Sequence, residues 1–157
     1  MGRTENVQKL LEMVRQVSIV HNKILSTKRQ YMDGEELYMR EAHFVLAIGP
    51  GNVLTMTELT EKLEVTPGAV SQLAKRMEEK GFVQRIPAKE DRRINEITLT
   101  EKGEQLYHLH RKFDQEQYRE FSRRLQEYSD EELEFLMQFE QKIESIFREV
   151  VENDKND

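Results

Sequence analysis

The sequence predicts a mainly α-helical fold that carries one small β-hairpin. Three observations predict it. Two short amphipathic segments, each opened by a capping residue, follow one another across a turn between Thr55 and Gly81. Two β-branched runs, FVQRIP and INEITL, then bracket the polar stretch AKEDRR. Stretches with apolar residues at helical spacing occupy both ends of the chain.

The elements follow in order. From about Thr4 to Lys28, Val7, Leu10, Leu11, Val14 and Val17 recur at helical spacing and predict a first helix. STKRQYMDGEE is polar and separates it from a second helix around Leu37 to Ile48, which the loop GPGN stops. Thr55 and Glu58 have capping-box spacing, in which hydroxyl and carboxylate each satisfy an orphan backbone N–H, and Leu59 and Leu63 form the buried side. Thr66 suits an N-cap, Pro67 the first helical position and Gly81 the C′ position. Two short helices joined by a turn make a helix-turn-helix. FVQRIP and INEITL read as a β-hairpin with AKEDRR at its tip. Thr100 then caps a long helix with Leu106, Leu109, Phe113, Phe121 and Leu125 on or near one face. Ser129 and Glu132 make a second capping box, before a helix carrying Leu133, Leu136, Phe139, Ile143, Phe147 and Val150. That apolar surface is wide for a terminal helix and predicts burial against something else.

Composition bounds the function. Of 157 residues, 37% are hydrophobic and 34% charged, a polar balance suited to long amphipathic helices or to stripes buried against a second copy. There is no cysteine, which excludes disulfides and thiol chemistry. MGRTENVQKLLEMVRQ lacks the apolar core of a signal peptide, and no run nears the roughly 18 apolar residues of a membrane span. A cytoplasmic protein with no membrane partner is expected. The net charge of −6 argues against a nucleic-acid binder, but it is unevenly spread. Pro67 to Arg93 holds seven Lys/Arg and four Asp/Glu, a balance of +3, and Glu101 to Asp157 holds nine and sixteen, a balance of −7. A basic segment beside an acidic scaffold suits an anionic partner.

On a wheel at about 100° per residue, Val70, Leu73, Ala74 and Met77 face the core. Gly68, Gln72, Lys75 and Glu79 lie opposite, with Ser71 and Arg76 at the margins. Gly68 and Ser71 permit a surface to approach closely. The Gln72 amide matches the adenine N6/N7 edge, and Lys75 reaches a guanine edge or a phosphate. Base contacts come from the N-terminal part of such a helix, so Glu78 and Glu79 sit at the end that points away. The helix N-terminus, with Thr66 and Pro67, adds partial positive charge toward phosphate. In the hairpin tip, Arg93 suits a minor groove, where narrow A·T tracts concentrate negative potential. Asp91 would orient Arg93 by charge-assisted hydrogen bonds, with Arg92 or Lys89 on phosphate. A solvated polar face and a solvated tip are the plain alternatives.

Helix, turn, helix and basic hairpin in this order make a winged helix-turn-helix. VTPGAVSQL, EEKGFVQR, DRR and LTEKG resemble the MarR family of bacterial transcription regulators. The resemblance implies a winged helix-turn-helix over residues 51–103, N-terminal helices for dimerisation and support over 1–50, and C-terminal dimerisation helices over 104–157. It implies a homodimeric repressor on double-stranded DNA, with contacts at Gly68, Ser71, Gln72 and Lys75 and a minor-groove arginine at Arg93 partnered by Asp91. That family's helix-turn-helix usually has a small residue where Thr60 stands and often Gly or Asn where Glu64 stands. A left-handed Glu64 costs on the order of 1 kcal/mol.

The resemblance also implies release of DNA by a small molecule. LYHLHRKF and HFVLAIG are similar to the branch that regulates fatty-acid synthesis, which implies an acyl-chain effector, with a pocket lined by Val17, His21, Phe44, Leu106 and His110. For the histidines His21, His43, His108 and His110 polar or partly buried roles are expected rather than a metal, with zinc as the alternative. Glu41 and His43, like His108 and His110, are two apart on a helix and diverge by about 200°, whereas zinc on one helix prefers partners four apart. No cofactor is expected. No carboxylate pair, Ser-His-Asp set or phosphate loop marks an enzyme. A winged-helix module for protein–protein contact without DNA is the alternative function.

Overall fold

A computed structural model describes residues 2–32, 34–88 and 95–153. By its internal contacts the chain divides into two units, Met1–Asp114 and Gln115–Asp157. The first holds α1 (Arg3–Leu25), β1 (Lys28–Met32), β2 (Glu35–Tyr38), α2 (Met39–Ile48), β3 (Val53–Thr55), α3 (Met56–Leu63), α4 (Pro67–Glu79), β4 (Val83–Pro87) and β5 (Asn95–Leu99). α5 (Glu101–Arg124) crosses the boundary and α6 (Asp130–Asn153) lies in the second unit. The mainly α fold with a small β-hairpin is the one observed.

β4 and β5 pair antiparallel from Val83↔Leu99 to Pro87↔Asn95. On the other side of β5, β3 adds a third strand through Val53↔Thr98, Leu54↔Ile97 and Thr55↔Glu96, an edge that sequence reasoning did not find. STKRQYMDGEE is no plain separator either. β1 and β2 form a second hairpin with a bulge between Gln30 and Met32, so the second helix begins at Met39 rather than Leu37. The missed signal was Asp33-Gly34, a dipeptide that favours hairpin turns, and Gly34 takes φ 80°.

The caps hold as read. The Glu58 amide donates to Thr55 Oγ1 at 3.2 Å and the Thr55 amide to Glu58 Oε2 at 2.7 Å. Ser129 and Glu132 repeat the exchange at 3.2 and 2.8 Å. Thr66 Oγ1 accepts from the Ala69 amide at 3.3 Å, with Pro67 at the first helical position. Between α3 and α4 the chain reverses through Glu64 at φ 52°, ψ 40°, the left-handed turn that a glycine would take without strain. α4 ends in a Schellman motif: Gly81 at φ 75° donates to the Glu78 carbonyl, and Phe82 donates to the Met77 carbonyl, both at 2.9 Å.

The core of the first unit joins Phe44, Val45 and Ile48 from α2, Leu59 from α3, and Val70, Leu73, Ala74 and Met77 from α4 to Phe82, Ile97, Leu99 and Leu106. Each such large side chain contributes about 1.5–3 kcal/mol when buried. α5 is docked against the turn after α4. A Cβ on Gly103 would stand 2.0 Å from the Phe82 carbonyl oxygen, so only glycine fits there. In the second unit α6 buries no residue, and Phe121, Leu125, Phe135, Leu136, Phe147 and Val150 are exposed. Val7, Leu11, Val17 and Val20 of α1 are exposed as well.

Candidate nucleic-acid interface

α4 is fixed on one side and free on the other. Val70, Ala74 and Met77 are fully buried and Leu73 nearly so. Gly68, Ser71, Gln72 and Lys75 are exposed on the opposite face, as the wheel predicts. A Cβ on Gly68 would meet nothing within 4 Å. Nothing among the described residues therefore requires glycine at this helical position, where it costs roughly 0.5–1 kcal/mol against alanine.

The polar end of α4 is more tightly held than the wheel suggests. Glu41 of α2 is 1% exposed. Its carboxylate accepts from Lys80 Nζ at 2.9 and 3.0 Å and from the Tyr38 amide at 2.9 Å, and Arg76 Nε lies 3.7 Å away. Arg76, a candidate phosphate contact, thus has its charge partly matched inside the protein. Glu78 accepts from Arg85 Nε of β4 at 3.0 Å, and Glu79 stands 3.9 Å from Lys75. Each glutamate at this end has a basic neighbour. Lys102 continues the tie by donating to the Lys80 carbonyl at 2.8 Å, and its ammonium lies 4.3 Å over the Phe82 ring. Glu41 was weighed in the sequence only beside His43; no local pattern links it to Lys80, which is 39 residues away.

Lys89, Asp91, Arg92 and Arg93, the candidate wing contacts, lie outside the described residues. β4 and β5 lead the chain to and from that tip.

The five residues expected to line an effector pocket differ in exposure. Phe44 and Leu106 are fully buried members of the core, whereas Val17 is 69% exposed and His21 is exposed on α1. His110 is fully buried and packs against Tyr31, His43 and Phe113, with ring centroids 5.0–5.7 Å apart. Arg29 lies 4.5 Å over the Phe113 ring. Burial pushes the His110 imidazolium down to about 4, with the nearby Asp114 carboxylate opposing the shift and His43 and Arg29 adding to it. Burial lowers His43 as well and raises the Tyr31 hydroxyl to about 12. His108, two residues from His110, is exposed and packs edge-on against Tyr107. The pair on α5 does diverge, as the spacing requires. The within-helix rule passed over the approach of His43 from α2 to His110 on α5.

A model of the MarR family matches residues 44–94. The chain is similar to YhjH of Bacillus subtilis (strain 168), an uncharacterized HTH-type transcriptional regulator, with 26% identity over 116 residues, 74% of this chain and 62% of that protein. It is 37% identical over 62 residues to the HTH-type transcriptional repressor MdtR of the same organism, 39% of this chain and 40% of that one. The chain thus spans less than two thirds of the length of either relative. Streptococcus pneumoniae FabT, solved in complex with DNA, has a similar fold, with a TM-score of 0.68 at 20% identity over 94% of this chain and 99% of that one.

Proposed function

We propose a function from one premise: the chain belongs to the MarR family. It is a homodimeric, sequence-specific DNA-binding regulator, a repressor released by a small-molecule or acyl-chain effector. The observation that carries the DNA reading is the face of α4 on which Gly68, Ser71, Gln72 and Lys75 stand exposed, with open space beside Gly68, while the opposite face is locked into the core. This is the geometry of a helix laid N-terminus first into a major groove. Ser71 and Gln72 offer hydrogen bonds to base edges, Lys75 reaches a base edge or a phosphate, and the capped N-terminus around Thr66 and Pro67 receives phosphate. Arg93, oriented by Asp91, enters the adjacent minor groove, and Lys89, Arg92 and Arg76 add phosphate contacts.

The dimer follows from the apolar stripes that a single chain leaves in water on α1, the end of α5 and α6. Stripes of this extent mark surfaces that bury against a partner. Two-fold pairing sets the recognition helices on half-sites about 34 Å apart.

The test is a salt titration of binding to DNA selected from a random pool. Affinity should fall steeply between low and high salt, because each neutralised phosphate releases counterions. Arg93→Ala should weaken binding while sedimentation still reports a dimer. Salt-independent binding, or a protein captured from lysate by nuclease-resistant contacts with no DNA selected, would favour the protein–protein module instead.

A further inference from the structure

We propose that Glu41 is a positioning residue of the DNA interface: from α2, buried and out of reach of DNA, its carboxylate holds Lys80 and aims Arg76 at phosphate. The inference rests on the reading of α4 as the groove-facing helix and names a residue behind that face. Arg76 stands four residues after Gln72 and eight after Gly68, at the margin of the exposed side. Base edges belong to the N-terminal part of such a helix, so a cation at this position faces the backbone of the duplex.

The charges around Glu41 are held unequally. Both of its carboxylate oxygens accept from Lys80 Nζ, at 2.9 and 3.0 Å, and Oε2 also accepts from the Tyr38 amide. Lys80 is fixed at its other end as well, since Lys102 donates to its carbonyl and itself pairs with Glu35 of β2. The Arg76 contact is looser. Its Nε lies 3.7 Å from Glu41 Oε1, beyond hydrogen-bond distance, and its side chain is 46% exposed. Two cations thus share one carboxylate. Lys80 neutralises it, and the surplus positive charge falls on Arg76, the more exposed of the two. The acids nearest in sequence leave that surplus in place, because Glu78 pairs with Arg85 and Glu79 with Lys75.

Lys80 by itself satisfies the carboxylate, so stability does not require a second cation there. Function does. With Nε on the carboxylate side, the two terminal amino groups of Arg76 are left for phosphate, which a planar guanidinium grips with paired hydrogen bonds. An arginine held in one orientation meets phosphate only when the protein is docked in register. An unheld one follows the backbone wherever the protein lands. Glu41 therefore acts on the preference for one site over others, although phosphate contacts carry no sequence information themselves.

The test compares the full chain and its variants on two duplexes of equal length, one selected by the parent from a random pool and one scrambled. Glu41→Gln should weaken binding to the selected duplex about tenfold, the scale of one charge-assisted hydrogen bond, and should not weaken binding to the scrambled one. In an Arg76→Ala background the same change should alter the preference by less than about twofold, because no guanidinium is left to aim. A merely structural Glu41 would weaken binding to both duplexes in proportion and act independently of Arg76, and either result overturns the proposal. Arg76→Lys keeps the charge and loses the fork, so it should retain the parent's salt dependence and lose the preference. If Glu41→Gln fails to melt cooperatively, Arg76→Lys carries the test, and an unchanged preference in it overturns the proposal. A parent chain that selects no DNA overturns the reading of α4 first, and this inference with it.

Discussion

Replacing Lys80 by methionine removes the ammonium that faces Glu41 and keeps most of the aliphatic stem. The Glu41 carboxylate, 1% exposed, would retain the Tyr38 amide at 2.9 Å and Arg76 Nε at 3.7 Å. Stranding one partner of a buried ion pair costs about 3–5 kcal/mol. Two features of this pair reduce that figure. The Lys80 side chain is 32% exposed, so its own desolvation is incomplete, and Arg76 is close enough to move in. A loss of about 2–3 kcal/mol is expected, and at about 2–4 °C per kcal/mol for a chain of this size Tm should fall by about 5–10 °C. Melts at one fixed chain concentration read the change, since association raises apparent stability. Glu41→Gln in the same chain removes the stranded charge while its amide oxygen still accepts from Tyr38. The Lys80→Met, Glu41→Gln double variant should therefore recover more than half of the loss, a coupling that a double-mutant cycle isolates. A Tm within about 1 °C of the parent for Lys80→Met, or a double variant no better than the single, would show that Glu41 needs no counter-charge and would refute the reasoning.

Three further outcomes follow from the same geometry. Gly68→Ala should stabilise the free protein by roughly 0.5–1 kcal/mol in denaturant melts, since its Cβ meets nothing, and should weaken DNA binding about tenfold or more in the same preparation. Gly103→Ala should cost about 1–3 kcal/mol, because its Cβ would stand 2.0 Å from the Phe82 carbonyl and would push α5 off the turn after α4; denaturant midpoints check it. Lys75→Ala should lower the slope of log K against log salt by about 1 if Lys75 contacts phosphate, read from binding isotherms at several salt concentrations.

α4 was legible because its determinants are local. Thr66, Pro67 and Gly81 act within one turn of their own backbone, and period 3.6 alone separates Val70, Leu73, Ala74 and Met77 from Gly68, Gln72 and Lys75. The capping boxes at Thr55 and Ser129 were legible for the same reason. β1, β2 and β3 were not. A strand of three to five residues with one buried position carries little pattern, and its pairing depends on a partner elsewhere in the chain.

By itself the sequence determined which segments become helices, where α3 and α4 start and stop, which face of α4 meets the core, and that the terminal helices carry apolar stripes. Those properties follow from backbone capping and side-chain periodicity, which need no distant residue. Only the tertiary structure decided which charges meet. Glu41 lies against Lys80 and Arg76, and His110 is fully buried against Tyr31, His43 and Phe113. It also decided that His43 and His110, judged by within-helix spacing to lack metal-ligating partners, come together from two helices beside Asp114. Electrostatic and ligand geometry depend on distances through space, and local spacing along a chain does not encode those.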